Sequence, residues 1–499
     1  MNIHSTNVVA YKKIKFQVIN FFLKNKRTIL PFLSVLCYVL IYFIVDFSTQ
    51  SLVAHDEGLY ARRARMIGST DNWFSPPFLS PHHKTLGSYW FIALSIRLFG
   101  NSELALRLPS ILASFLCLLT IYLIALKIAN KKAAQICLFS VSSMPLWIQY
   151  SRYASPDLPF VLCVLLVILF FLEFLETSDY FKQCIYILFS GLFISTSFFI
   201  RSYMALVPII GLSPFLFYNL LRKKNIFKFI FFSGILIGLI PTLLNLYFSF
   251  EKFGGVGITT LFDFAKRQAI GEFIFRKLIL LPVNFIYLTF PIGILILILF
   301  AFTRKNYDIK YPLLVYYYPF LSLGILLCMS TSYPHYYLFL LPSLSILFSV
   351  NISFYSFRFS FSKFSIKFLL LITIIMITLI LLVFNFNYKD FIVEYSYRNP
   401  LILYIISTLL ILSYIVSLRF ILENKFNRFN LVNFFYGLAI PQYFLISFLF
   451  NFGILGNPNF KTKLFLRDEA VSSIINSNTI YLFGVDSKTE TLLLYYLPS

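Results

Sequence analysis

Charge is what this chain has least of. Only 12% of its 499 residues are Asp, Glu, Lys or Arg, about half the share in a water-soluble domain, which excludes a surface built mainly for water. Cysteine is also sparse: Cys37, Cys117, Cys137, Cys163, Cys184 and Cys328 lie in or at the ends of apolar runs. Their spacing is unpaired, which excludes a disulfide framework or a cysteine-rich zinc site. Histidine numbers five. His55, His82 and His83 share one segment, but without an i,i+4 pair they supply no metal motif, so no metal ligand is assigned and a divalent ion is left only as a possible cofactor. Acidic residues number 20 against 42 basic, a net charge of +22. Nucleic acid would need a basic soluble face with aromatic or motif context, and none is present.

What is there instead is apolar: 59% of residues are hydrophobic and the mean hydropathy is +0.81. Continuous runs near 20 residues recur, the length a helix needs to cross roughly 30 Å of hydrocarbon. Because the runs do not alternate, they are helices and not barrel strands. The spacing predicts thirteen spans, at 28–48, 106–128, 132–150, 157–176, 183–200, 203–221, 226–249, 277–302, 311–330, 334–353, 366–386, 400–420 and 432–453. The first is too long, and lacks the small-residue site, for a cleaved signal peptide. Gly87 to Phe99 is only 13 residues and contains Arg97, which suits a helix lying in the interface.

Basic residues decide the count. With thirteen spans and the N-terminus inside, 23 of the 42 Lys and Arg fall in seven short segments on one side, the pattern of cytoplasmic connections. Counting 87–99 as a span would invert everything after it. The other side receives a loop at about 49–105, the junction 152–157, a loop at about 250–276, and the tail from about 454. The expected architecture is an all-α polytopic membrane protein, with a transmembrane domain over 1–455 whose working loop is 49–105. A small α/β segment follows over 456–499, helix-like at Ala470–Asn476 and strand-like at Thr479–Val485.

Chemistry concentrates on that second side. Asp56-Glu57 begins a segment with Tyr60, Arg62, Arg63 and Arg65. Helical spacing puts Glu57, Tyr60 and Arg63 along one side, with Asp56 at the helix start, where the dipole favours an anion. The bland alternative is an N-cap with a solvated charged face. Lys84 precedes the aromatic Tyr89-Trp90, where it could hold a lipid phosphate as a point charge or simply snorkel. In Arg152-Tyr153-Ala154-Ser155-Pro156-Asp157 the proline breaks the chain, leaving Asp157 at a membrane boundary. There a carboxylate must be solvated, paired to Arg152 or functional. Asp263, Lys266 and Arg267 lie in the 250–276 loop, and Tyr333-Pro334-His335-Tyr336 opens a later helix.

These segments resemble the membrane glycosyltransferases of the GT-C fold, in the branch of protein O-mannosyltransferases and bacterial lipid A aminoarabinose transferases. His55-Asp56-Glu57 with Tyr60 is similar to the family's aspartate-glutamate motif after the first helix. Asn72-Trp73-Phe74, Lys84, Tyr89-Trp90 and Arg107-Leu108-Pro109-Ser110 resemble its continuation, Arg152 to Asp157 its second acidic junction, and His335-Tyr336 its later basic-tyrosine segment. The resemblance implies a multi-pass protein of the inner membrane, working on the periplasmic side, that moves a sugar with inversion from a polyprenyl-phosphate donor to a lipid, glycan or protein acceptor. It implies Asp56, Glu57 and Asp157 as catalytic residues and Arg63, Lys84, Arg152, Arg267, His335 and Tyr336 as substrate-binding ones. His83-Lys84-Thr85-Leu86 departs from the family's usual glutamate-lysine-proline-proline, so nothing here stands in for that glutamate. A lipid or polysaccharide transporter is the competing expectation; it would place ionisable groups near the bilayer midplane, whereas the middles of these runs are nearly free of charge.

Overall fold

The computed structural model describes residues 51–53, 56–70, 72–78, 81, 84–269, 309–330, 333–354, 460–477, 481–485 and 487–497, with isolated positions elsewhere. The chain divides into Met1–Val45, outside the described residues, and Asp46–Ser499. The spans expected at 28–48, 277–302, 366–386, 400–420 and 432–453 also lie outside them, isolated positions apart.

Two short helices come first, α1 (Asp56–Gly68) and α2 (Gly87–Phe99), followed by the long α3 (Glu103–Ile128). Ser102 caps α3 by accepting from the Ala105 N–H at 3.2 Å, which satisfies one of the donors a helix start leaves open. The expected single span at 132–150 is instead two pieces, α4 (Lys131–Ser142) and α5 (Pro145–Tyr150). Pro145 is the cause: the residue before a proline is pushed out of the helical region, and Met144 sits at φ −71°, ψ 132°.

Then come α6 (Asp157–Glu176), α7 (Tyr180–Arg201), α8 (Leu206–Leu221), α9 (Asn225–Phe253) and α10 (Gly255–Ala269). Helices α3, α6 and α9 are each long and apolar enough to cross a membrane, as is the stretch Tyr180–Leu221. That stretch is a hairpin. It breaks at Ser202, whose φ of 54° is the only positive value at a non-glycine among the described residues, and a short 3-10 turn, Ser202–Ala205, leads into α8. Arg201 at the break meets Asp157 at the start of α6, while the far end of α8 returns to the end of α6, Lys223 Nζ lying 5.3 Å from the Phe174 ring centre.

A π-turn, Leu313–Tyr317, precedes α11 (Tyr318–Cys328). Pro319 cannot donate to the carbonyl four residues back, and widening the preceding turn is how a helix absorbs that loss. A 3-10 turn, Pro334–Tyr337, precedes α12 (Leu340–Phe354). The tail carries α13 (Phe460–Arg467), α14 (Glu469–Ser477) and α15 (Ser487–Tyr496). The helix expected at Ala470–Asn476 is present, but residues 481–485 form no strand, so the described tail is helical and not α/β. Lone strands have no neighbour to supply their ladder bonds.

Glycine sets the closest approach in the bundle. A Cβ on Gly191 of α7 would meet the Phe231 carbonyl oxygen at 2.2 Å, and Cβ atoms on Gly234 and Gly238 of α9 would meet those of Leu188 and Leu192 at 2.3 and 2.7 Å. Gly234 and Gly238 form the GxxxG pattern that lets backbones touch where lipid gives side chains no hydrophobic drive to associate.

Contacts sort by side as the basic residues predict. At one end Lys127 pairs with Glu173 at 2.9 Å and Glu176 at 3.1 Å, Lys310 joins Glu176, and Asn130 donates to Ser353 at 3.2 Å. At the other, α1, α2, the start of α6, the end of α7, the end of α10 and the tail meet. Helix α2 fits an interfacial position: at 13 residues it is roughly 20 Å long, short of a span. It buries Tyr89, Ile92 and Ala93 while exposing Phe91, Leu94, Leu98 and Phe99. The whole is a multi-pass integral membrane protein.

Candidate active site

Two polar lines run through the second end. The first is a buried knot on Glu57, whose side chain is wholly inaccessible. One carboxylate oxygen accepts from Arg107 Nε at 2.9 Å and the Ala154 N–H at 2.8 Å; the other accepts from Arg107 Nη2 at 2.9 Å and the Val53 N–H at 3.0 Å. Arg107 Nη2 also donates to the Ser51 carbonyl at 3.1 Å. Buried charges are tolerated only when paired and hydrogen-bonded, and this pair is. The knot ties the segment entering α1 to the junction before α6, fixing the chain on either side of Asp56 and three residues ahead of Asp157.

The second line ends in a cleft, which its Arg201 and Asp157 line. Arg201 Nη2 lies 2.8 Å from Asp157 Oδ1, so the carboxylate at the membrane boundary is paired to Arg201. Arg201 Nη1 donates to the Tyr60 hydroxyl at 3.1 Å, and Lys84 Nζ donates to the same oxygen at 2.7 Å while lying 4.3 Å from the Tyr60 ring centre. Lys84, Tyr60, Arg201 and Asp157 thus form one chain of contacts from the outer loop to the start of α6. Tyr336 closes the cleft: its ring centre is 5.9 Å from the Arg201 guanidinium carbon, and its hydroxyl accepts from Gln268 Nε2 at 3.0 Å. His335 Nδ1 and the Tyr150 hydroxyl are 3.2 Å apart. Asp157, Arg201, Met204, His335 and Tyr336 line the cleft with neighbouring phenyl groups.

The remaining expected residues fall around this line. Asp56 opens α1 next to the knot. Arg63 lies 4.5 Å from the Phe78 ring centre, and its Nη1 is buried without a hydrogen-bond partner. Arg152 is buried, 2% exposed, beside the knot's Ala154. Arg267 is exposed at the end of α10 with its Nε turned to the Asp263 carbonyl at 3.4 Å, one residue before Gln268. His55, His82 and His83 lie outside the described residues, and no cluster of three metal-binding side chains occurs among those described.

The sequence passed over Arg201, Arg107 and Gln268 as functional positions. Arg201 had a signal: it is the one charge between two apolar runs, 183–200 and 203–221, where a cation is costly unless used. Arg107 had a weaker one, a cation just inside a span. Gln268 had none.

Comparison with known proteins bears on the fold. Residues 83–248 match the model of the family described as dolichyl-phosphate-mannose-protein mannosyltransferase. The chain is 25% identical over 183 residues to the undecaprenyl phosphate-alpha-4-amino-4-deoxy-L-arabinose arabinosyl transferase of Pseudomonas aeruginosa strain UCBPP-PA14, covering 36% of this chain and 33% of that one. It is 29% identical over 190 residues to the same-named protein of Aeromonas hydrophila, covering 36% and 34%. An uncharacterised protein of Aquifex aeolicus is 28% identical over 211 residues, 41% of each chain. The matches thus span between a third and two fifths of these relatives. Among solved structures, ArnT from Cupriavidus metallidurans bound to undecaprenyl phosphate superposes with a TM-score of 0.68 at 16% identity, over 95% of this chain and 85% of that one. The fold is therefore that of ArnT.

Proposed function

We propose that this chain is an inverting glycosyltransferase that moves a sugar from a polyprenyl-phosphate donor to an acceptor on the extracytoplasmic face of the inner membrane. The observation that carries it is the continuous line Lys84–Tyr60–Arg201–Asp157 at one end of the bundle. It joins cations to a carboxylate at the ends of apolar helices, the chemistry that an anionic lipid headgroup needs. The basic bias of the opposite connections supports the outward placement.

In the reaction an acceptor hydroxyl attacks the anomeric carbon from the face opposite the phosphate. The carbon–oxygen bond to the phosphate breaks, its electron pair leaves with the lipid phosphate, and a carboxylate takes the acceptor's proton. The leaving phosphodiester becomes a phosphomonoester with one more negative charge, and a nearby cation stabilises that growing charge. Lys84 supplies the cation, with Arg267 and Tyr336 at the phosphate's far side and Arg63 and His335 lining the approach. Asp56 serves as base or acceptor-orienting group, and Asp157, held by Arg201, is its partner. Glu57 and Arg152 take a different part from the one first expected. With both Glu57 oxygens committed to four donors, it positions Asp56 and does not touch substrate; Arg152, buried two residues before Ala154, supports the same junction.

The test is transfer by the purified full chain, with radiolabelled undecaprenyl-phosphate-linked 4-amino-4-deoxy-L-arabinose and polyprenyl-phosphate mannose as donors and a total extract of the source membranes as acceptor. Transfer of label from one donor, lost in Asp56→Asn, supports the proposal. Label carried across vesicles without cleavage from phosphate would favour a transporter.

A further inference from the structure

The tail holds the loop that bears the proposed site. Helix α15 lies on α1: Leu492 and Tyr495 share a buried apolar cluster with Tyr60, Ala61, Ala64 and Ile67. Arg65, in the last turn of α1, donates from Nη1 to the Tyr495 carbonyl at 3.0 Å and from Nη2 to the Leu494 carbonyl at 2.9 Å. These are carbonyls that the end of a helix leaves open, and a cation there also answers the helix dipole. The Tyr496 hydroxyl accepts from the Leu52 N–H at 3.0 Å, four residues ahead of Asp56. The Tyr495 hydroxyl donates to Asn101 at 3.3 Å. From α13, Lys463 and Arg467 reach Glu103 at 2.6 and 3.0 Å. The tail therefore grips the outer loop at its entry, at the end of α1 and at its exit into α3. The Arg65 and Tyr496 bonds are direct and each has a backbone partner, so they fix where α1 lies.

We propose that the C-terminal helix is a positioning element for sugar transfer, with Arg65 and Tyr496 the positioning residues that hold α1, and with it Tyr60, against Lys84 and Arg201. This rests on the glycosyltransferase reading. Neither residue meets the donor, so loosening the grip should slow turnover and leave lipid-phosphate affinity almost alone.

The experiment uses the full chain in detergent, as wild type, Arg65→Gln, Arg65→Lys and Tyr496→Phe. Amide exchange over residues 51–68, affinity for undecaprenyl phosphate and donor turnover are measured in parallel. Arg65→Gln and Tyr496→Phe should raise exchange over 51–68 and lower turnover about tenfold, with affinity changed less than about twofold. Arg65→Lys, which keeps a donor for one carbonyl, should recover part of both. Unchanged exchange, or raised exchange with wild-type turnover, overturns the inference. A wild type that transfers no sugar sinks the enzyme reading separately. The grip is then judged by whether undecaprenyl phosphate protects 51–68 in wild type but not in Arg65→Gln, and equal protection overturns it.

Discussion

At the residue scale, the Glu57–Arg107 pair separates what holds the site from what works in it. Both side chains are at most 1% exposed, and breaking such a pair leaves an uncompensated charge in the interior at a cost of about 3–5 kcal/mol. Glu57→Gln and Arg107→Met should each lower the thermal stability of the purified protein sharply. The double variant should lose less than the sum, because neither charge is stranded. Simple additivity would mean that the two do not act as a pair. Asp56 and Glu57 are neighbours in sequence, and no pattern of residue types marks Glu57 as a buried anchor: the structure surrounds it with donors from segments 50 and 97 positions away. Long-range partners of this kind are why the site was legible as a set of segments but not as roles. Arg201 illustrates it again, since its pairing with Asp157 depends on how α7 turns at Ser202.

At the element scale, apolar length told correctly where α3, α6, α7, α8 and α9 run, because in lipid the length of a run and the need to close every backbone bond leave a helix few alternatives. It did not foresee the break at Pro145, and the strand-like pattern did not give a strand at 481–485, where local chemistry or docking decides. The α7–α9 contact is open to a direct check. Gly234→Val would force a side chain against the Leu188 carbonyl, whereas Gly324 has open space around its Cβ position. Gly234→Val should unfold at markedly lower temperature in detergent, and Gly324→Ala should match wild type or slightly exceed it. The tail gives a pH signature. Burial lowers the Lys463 ammonium from 10.5 to about 8 despite the attraction of Glu103. The undocked tail therefore holds more protons than the docked one between those values, and docking should strengthen as pH rises through that window. Below about pH 8 both states keep the proton and the contribution is flat. Tm measured across pH for wild type and Lys463→Met should diverge in that direction; a wild type that loses stability relative to Lys463→Met above pH 8 would refute it.

At the scale of the whole molecule, the two clusters of polar contacts fall at opposite ends of the bundle, as the distribution of Lys and Arg anticipates. Cysteines placed at Gly255 and Ser472 in a background lacking the native ones should react with an impermeant reagent applied outside intact cells, and one at Asn225 should not. The reverse pattern would put the cleft on the cytoplasmic side. The central claim is that a lipid phosphate is held beside Lys84, and the most direct measurement is the affinity of the purified full chain for undecaprenyl phosphate. A charge-assisted hydrogen bond contributes about 1.5–3 kcal/mol, so Lys84→Met should bind roughly 10- to 100-fold more weakly than wild type while Glu490→Gln, at an exposed position of α15, binds as wild type does. Equal affinity in wild type and Lys84→Met would contradict the account.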